Sequence, residues 1–181
     1  MIKQLRNLLI PVFLLIVGCS SDIHTKEIAK KELQLYPITV IDNYFSFTYV
    51  ENHAIAMGLM KSINKHIRLP LILILQATIC LAGLFLLWKI RHQSLSLVGG
   101  LAILLSGAMG NFFDRLQNGY VTDFFHFYYL DKFSFPVFNV ADVLINIGLI
   151  ILLFQAKKFE KAIYTAFEKP LPNTSDIKIV E

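Results

Sequence analysis

The sequence predicts a mainly α-helical membrane protein, in which four transmembrane helices carry a small extracytoplasmic β-sheet. Three observations lead there. Of the 181 residues, 55% are hydrophobic and 17% charged, with mean hydropathy +0.57, which is too apolar for an ordinary soluble domain. Four apolar runs, about residues 5–22, 69–88, 95–113 and 138–154, read as spans. Between the first two lies a polar stretch with a strand-like pattern.

The chain opens Met1-Ile-Lys-Gln-Leu-Arg6 and stays apolar to Cys19, a charged head and greasy body like those of a signal peptide. Ile16-Val-Gly-Cys19 resembles the lipobox at which bacterial lipoprotein precursors are cut. Three further spans and no soluble domain to anchor argue against cleavage, so residues 5–22 are expected to stay as the first span. Residues 23–68 form the outer segment. Ile38–Ile41 and Tyr44–Val50 are rich in β-branched and aromatic residues, and Asp42-Asn43 can turn one strand into the next. One greasy face of such a sheet suits a bilayer surface.

Leu69–Trp88 is uncharged for about twenty residues and is stopped by Lys89, Arg91 and His92. In the third span Ala102, Ser106 and Gly110 recur every four residues, giving one smooth helix face for a close neighbour. Asp114–Phe138 reads as a short outer loop. The fourth span ends at Lys157, Lys158 and Lys161. One domain, 1–156, is followed by a cytoplasmic tail, 157–181, loose beyond Pro170. Lys3, Arg6, Lys89, Arg91 and the lysines after Phe154 mark one side as cytoplasmic. The net charge of +4 therefore reads as orientation, not as a nucleic-acid footprint. Cys19 and Cys80 give no disulfide or metal spacing. The histidines 53, 66, 92 and 126 show no metal pattern either, so no cofactor is expected.

Ionisable groups at the ends of spans are costly and are functional candidates. Asp142 lies three residues after Asn139 near the start of the fourth span, where both could simply cap the helix. Asp123 sits among apolar neighbours in Val121-Thr-Asp-Phe-Phe. Facing one another, two such carboxylates would hold one proton between them, since like charge raises one pKa. One could then take a proton from water while the other donates to a peptide carbonyl. Asn111 and Arg115 share a helix face, so Arg115 could clamp substrate, snorkel to headgroups or pair with Asp114. Asn52 could bond a peptide backbone or be a turn residue. Asp22 and Lys26, four apart, suit an ion pair seating the first helix end.

Five segments occur in order: Asp22-Ile-His-Thr-Lys26, Tyr49-Val-Glu-Asn52, Gly107-Ala-Met-Gly-Asn-Phe-Phe-Asp-Arg115, Gly119-Tyr-Val-Thr-Asp123-Phe and Phe135-Pro-Val-Phe-Asn-Val-Ala-Asp142. Over about residues 5–156 the chain resembles bacterial type II signal peptidase, the lipoprotein signal peptidase family. The resemblance implies an intramembrane aspartyl endopeptidase of the bacterial inner membrane with a β-sheet cradle outside. It implies cleavage of diacylglyceryl-modified prolipoproteins on the amino side of the lipid-bearing Cys. It places Asp123 and Asp142 at the catalytic positions. Asn52, Asn111, Arg115 and Asn139 fall around the site, with Asp22, Lys26, Gly107 and Asp114 as support. The expected partners are lipidated precursors and membrane lipids, with no nucleic acid, and the enzyme is expected as a monomer. The chain departs from the family at Ile23, at His53-Ala54, at Met57 and at Ser106. Ala54 would be strained if its backbone needs positive φ. A non-catalytic precursor-binding protein of the same fold is the alternative. An ion carrier is disfavoured, because the ionisable residues gather at one surface.

Overall fold

The computed structural model describes residues 2–53, 64–130 and 132–167. Helix α1, Ile2–Leu33, runs eleven residues past the expected end at 22. Thr25–Leu33 holds good helix formers and neither Gly nor Pro. Ala29 and Leu33, four apart, bury themselves against Phe124. Tertiary contact thus rewards continued winding, and the first part of the outer segment is helix. Asp22 and Lys26 consequently sit inside α1, not at its end.

Strands β1, Ile38–Ile41, and β2, Phe45–Asn52, form the expected hairpin. The Tyr44 amide donates to the Ile41 carbonyl (3.1 Å), and Asn43 takes φ 66° at the turn, a conformation that Asn tolerates better than most residues. Helices α2, Lys65–Lys89, and α3, Leu95–Asn118, follow. Gly119 ends α3 with φ 81° while its amide donates to the Arg115 carbonyl (2.9 Å). Without a Cβ it adopts this left-handed turn at little cost and aims the chain back across the outer surface.

The stretch expected to be loop is instead β3, Val121–Tyr129, and a short β4, Phe133–Ser134. All four strands make one antiparallel sheet in the order β1-β2-β3-β4. The Phe124 and Phe125 amides both donate to the Phe138 carbonyl (3.0 and 2.8 Å), so the sheet grips the chain just before α4, Val140–Phe154. A final helix, α5, Ala156–Phe167, occupies what was expected to be tail and turns 86° from α4.

α1, α2 and α3 are each long and apolar enough to cross a membrane, and α4 joins them if counted with α5. α3 is the central helix. The smooth face predicted for it receives α1: a Cβ on Gly110 would meet the Asp22 carboxylate, and one on Gly18 would meet Ser106. A Cβ on Gly107 would strike the Ala141 carbonyl of α4. Backbone contact this close fixes α1 and α4 against α3 just where the polar residues lie. Ala54 and Met57 fall outside the described residues.

Candidate active site

Asp123 is on β3, directly opposite Val50 of β2. Asn52, two residues further along the same face, is its diagonal neighbour. The Asn52 Nδ2 accordingly donates to Asp123 Oδ2 (2.8 Å). Asp142 comes from the start of α4, where it forms a capping box with Asn139. The Asp142 amide donates to Asn139 Oδ1 (3.0 Å), and the Asn139 amide donates to Asp142 Oδ2 (3.1 Å). The capping reading is therefore right as local structure, and it leaves Asp142 Oδ1 free to accept from Asn111 Nδ2 (3.0 Å).

Asn139 joins the two aspartates. It is fully buried, and its Nδ2 donates to Asp123 Oδ1 (2.6 Å), with longer contacts to Asn111 Oδ1 (3.2 Å) and the Thr122 carbonyl (3.3 Å). Both carboxylates are thus held from behind by amide donors. Burial, with the charge of Asp142 adding to it, pushes the Asp123 carboxyl up to about 6, against the Asn52 and Asn139 amides, which favour its charged form.

Behind the amides lies a buried ionic layer. Lys26 Nζ donates to Asp22 Oδ2 (2.6 Å) and Asn111 Oδ1 (2.7 Å) and lies 3.7 Å from Asp114 Oδ2. Asp22 Oδ1 accepts from the Ala141 amide (2.7 Å), so α1 helps to cap α4. Asp114 accepts from the Thr122 amide (2.6 Å) and Asn118 Nδ2 (2.6 Å), tying the end of α3 to β3. Such a layer orients what it touches, because a buried charge stays only where partners satisfy it. Arg115 is also buried, and the charges acting on it are those of Asp123, Asp142 and Asp114. It faces the site and does not snorkel to headgroups.

A cleft of about 450 Å³ opens on Asp123. Val50, Glu51, Asn52, His53, Arg68 and Val137 line it with Asp123. His53 Nε2 is 3.5 Å from Glu51 Oε2, and its ring meets Tyr120 edge-on. The structure therefore gathers Asp22, Lys26, Asn52, Gly107, Asn111, Asp114, Arg115, Asp123, Asn139 and Asp142 at one end of the bundle. Of the cleft residues, Asn52 and Asp123 were expected at the site and His53 stood out only as a departure from the family; nothing local marked Glu51, Arg68 or Val137 as lining.

Comparison with known proteins gives three results. The family profile described as Signal peptidase (SPase) II matches residues 14–158. The lipoprotein signal peptidases of Clostridium tetani and Clostridium novyi are 38% and 36% identical over 143 and 142 residues, each covering 78% of this chain and 88% and 93% of the relative. Two solved structures, each of a bacterial membrane enzyme determined by the in meso method, align at TM-score 0.63 with 25% and 26% identity. They cover 92% and 83% of this chain and 94% and 91% of their own.

Proposed function

The chain belongs to the signal peptidase II family, and from that premise we propose that Asp123 and Asp142 are its catalytic pair. As a member it is an aspartic-type peptidase of the inner membrane that removes signal peptides from prolipoproteins. The observation that carries the assignment is the buried Asn139 side chain, bonded to the Asp123 carboxylate and to the backbone amide of Asp142.

In this reading the scissile peptide lies in the cleft beside Asp123, with its lipidated Cys toward the bilayer. Asp123, whose carboxyl is pushed up to about 6, is the partner that carries the shared proton. It donates that proton to the peptide carbonyl as Asp142 takes one from the attacking water. The tetrahedral gem-diol then collapses: one hydroxyl proton returns to Asp123 as the carbonyl reforms, the carbon–nitrogen bond breaks, and the proton passes from Asp142 to the leaving amine of the Cys, which restores the pair. No covalent intermediate forms. Arg115, close to both carboxylates in charge and buried, holds the peptide or lipid carbonyl with a planar fork of donors. The precursor is diacylglyceryl-modified, and the cut falls on the amino side of its lipidated Cys.

The test is cleavage of a lipidated precursor by purified Asp123→Asn and Asp142→Asn variants. Each should give no shortened product while still binding precursor. Because the two groups act as one unit, the double variant should lose little more than either single one. Near-parental cleavage by either folded variant would return that aspartate to a structural role.

A further inference from the structure

The family match ends at residue 158, so α5 lies beyond it from Phe159 onward. Its surface is not that of a solvated tail. Ala162 is buried, and Phe159 and Ala166 pack with it on the cluster of Leu87, Ile90 and Leu97 at the α2–α3 turn. Lys89 of α2 pins the far end of α5. Its Nζ donates to the Ala166 carbonyl (3.4 Å) and lies over the rings of Phe85 (5.6 Å) and Phe167 (5.5 Å). α5 is therefore held at its 86° angle, across the direction of the spans.

Two flanks remain uncovered. At about 100° per residue, Lys157, Lys158 and Lys161 fall on one flank, and Ile163 and Phe167 on the opposite one. All five are exposed. The apolar flank continues a row of rings facing outward from α2: Phe85 is 6.2 Å from Phe167 and 6.1 Å from Trp88. Trp88, with Arg91 stacked on it at 4.7 Å, is the kind of residue that settles at headgroup level. Glu160 is the acidic residue of α5, so the helix is net cationic.

We propose that α5 is an interfacial helix whose Lys157, Lys158 and Lys161 bind anionic phospholipid headgroups of the cytoplasmic leaflet, while Ile163 and Phe167 enter the acyl-chain region. Charge complementarity selects the occupant. A lysine flank opposite an apolar flank, on a helix fixed across the membrane normal beside an aromatic belt, meets both layers of one leaflet at once.

The test uses the full-length protein in phosphatidylcholine vesicles carrying trace spin-labelled phosphatidylglycerol or spin-labelled phosphatidylcholine. The boundary-lipid signal should favour phosphatidylglycerol by about threefold or more. In Lys157→Gln/Lys158→Gln/Lys161→Gln that preference should fall by at least half, while precursor cleavage in neutral lipid is kept. A second measurement needs no charge change: Phe167→Trp in a Trp88→Phe background should be quenched by lipids brominated in the acyl chain. An unaltered preference in the triple variant, or an unquenched tryptophan at 167, overturns the proposal.

Discussion

Asp123→Asn should uncouple stability from pH in a way that can be calculated. The Asp123 carboxyl stands at about 6 in the folded protein, against an ordinary 3.8. A folded-state value raised above the unfolded one means stability that is full below pH ~3.8 and lost as pH rises through ~6. At roughly 1.36 kcal/mol per pH unit the whole loss is about 3 kcal/mol, and about 2.5 kcal/mol of it falls between pH 4 and pH 8. Asn has no such titration. It keeps one acceptor and sets an amide against the Asn52 or Asn139 donor, a cost of about 1–3 kcal/mol that does not vary with pH. The assay is unfolding by sodium dodecyl sulfate titration in mixed micelles, parent against variant, at pH 4, 6 and 8. The stability difference between the two should move by about 2.5 kcal/mol in favour of the variant as pH rises. A difference that stays flat within about 0.5 kcal/mol would show that ionised Asp123 is not held at a cost, and the proton-sharing argument would lose its basis.

Other expectations follow from the same contacts. Asn139→Ala removes the α4 cap and the Asp123 donor, so it should cost about 2–4 kcal/mol and, by removing a bond that favours ionised Asp123, move the basic limb of the pH–rate profile upward; an unmoved limb would mean Asn139 does not act on Asp123. Lys26→Met leaves Asp22 buried without its cation and should cost about 3–5 kcal/mol; adding Asp22→Asn should recover part of that, and equal loss in both variants would rule out the ionic cause. For orientation, a Cys at position 64 should react with an impermeant reagent from outside and a Cys at position 94 should not, and the reverse pattern would invert the topology.

Much of the architecture was legible because it rests on composition. Three spans and the β1–β2 hairpin follow from apolar length and from β-branched and aromatic residues around Asp42-Asn43. The α1 extension was hidden because Thr25–Leu33 is charged on its surface, and only packing of Ala29 and Leu33 on Phe124 decides it. β3 was hidden for the opposite reason. Val121-Thr-Asp-Phe-Phe-His-Phe-Tyr-Tyr129 is so evenly aromatic that no alternation stands out, and its partner in β2 is about seventy residues away. α5 did carry a signal, Phe159, Ala162, Ile163 and Ala166 at helical spacing, masked by the lysines between them. In the site, spacing gave Asn139 and Asp142 as a cap, while family motifs supplied the pairing with Asp123. The bridging role of Asn139 needed coordinates, since it depends on β3 lying beside the first turn of α4.

The shortness of α4 has a consequence for the bilayer itself. Its 15 residues rise about 22 Å, whereas an average hydrocarbon core is about 30 Å thick. From Phe154, where the chain turns into α5, Asp142 is only about 18 Å away along the helix axis. With α5 at the inner interface as proposed, Asp142 lies about 12 Å below the outer edge of an unperturbed hydrocarbon layer. That mismatch is relieved if the lipid thins around α4, which brings water down to the aspartates at a cost of fractions of a kcal/mol per ångström. Membrane thickness thereby enters the energetics of hydrolysis: thicker bilayers bury the pair more deeply and starve it of water, and thinner ones open it.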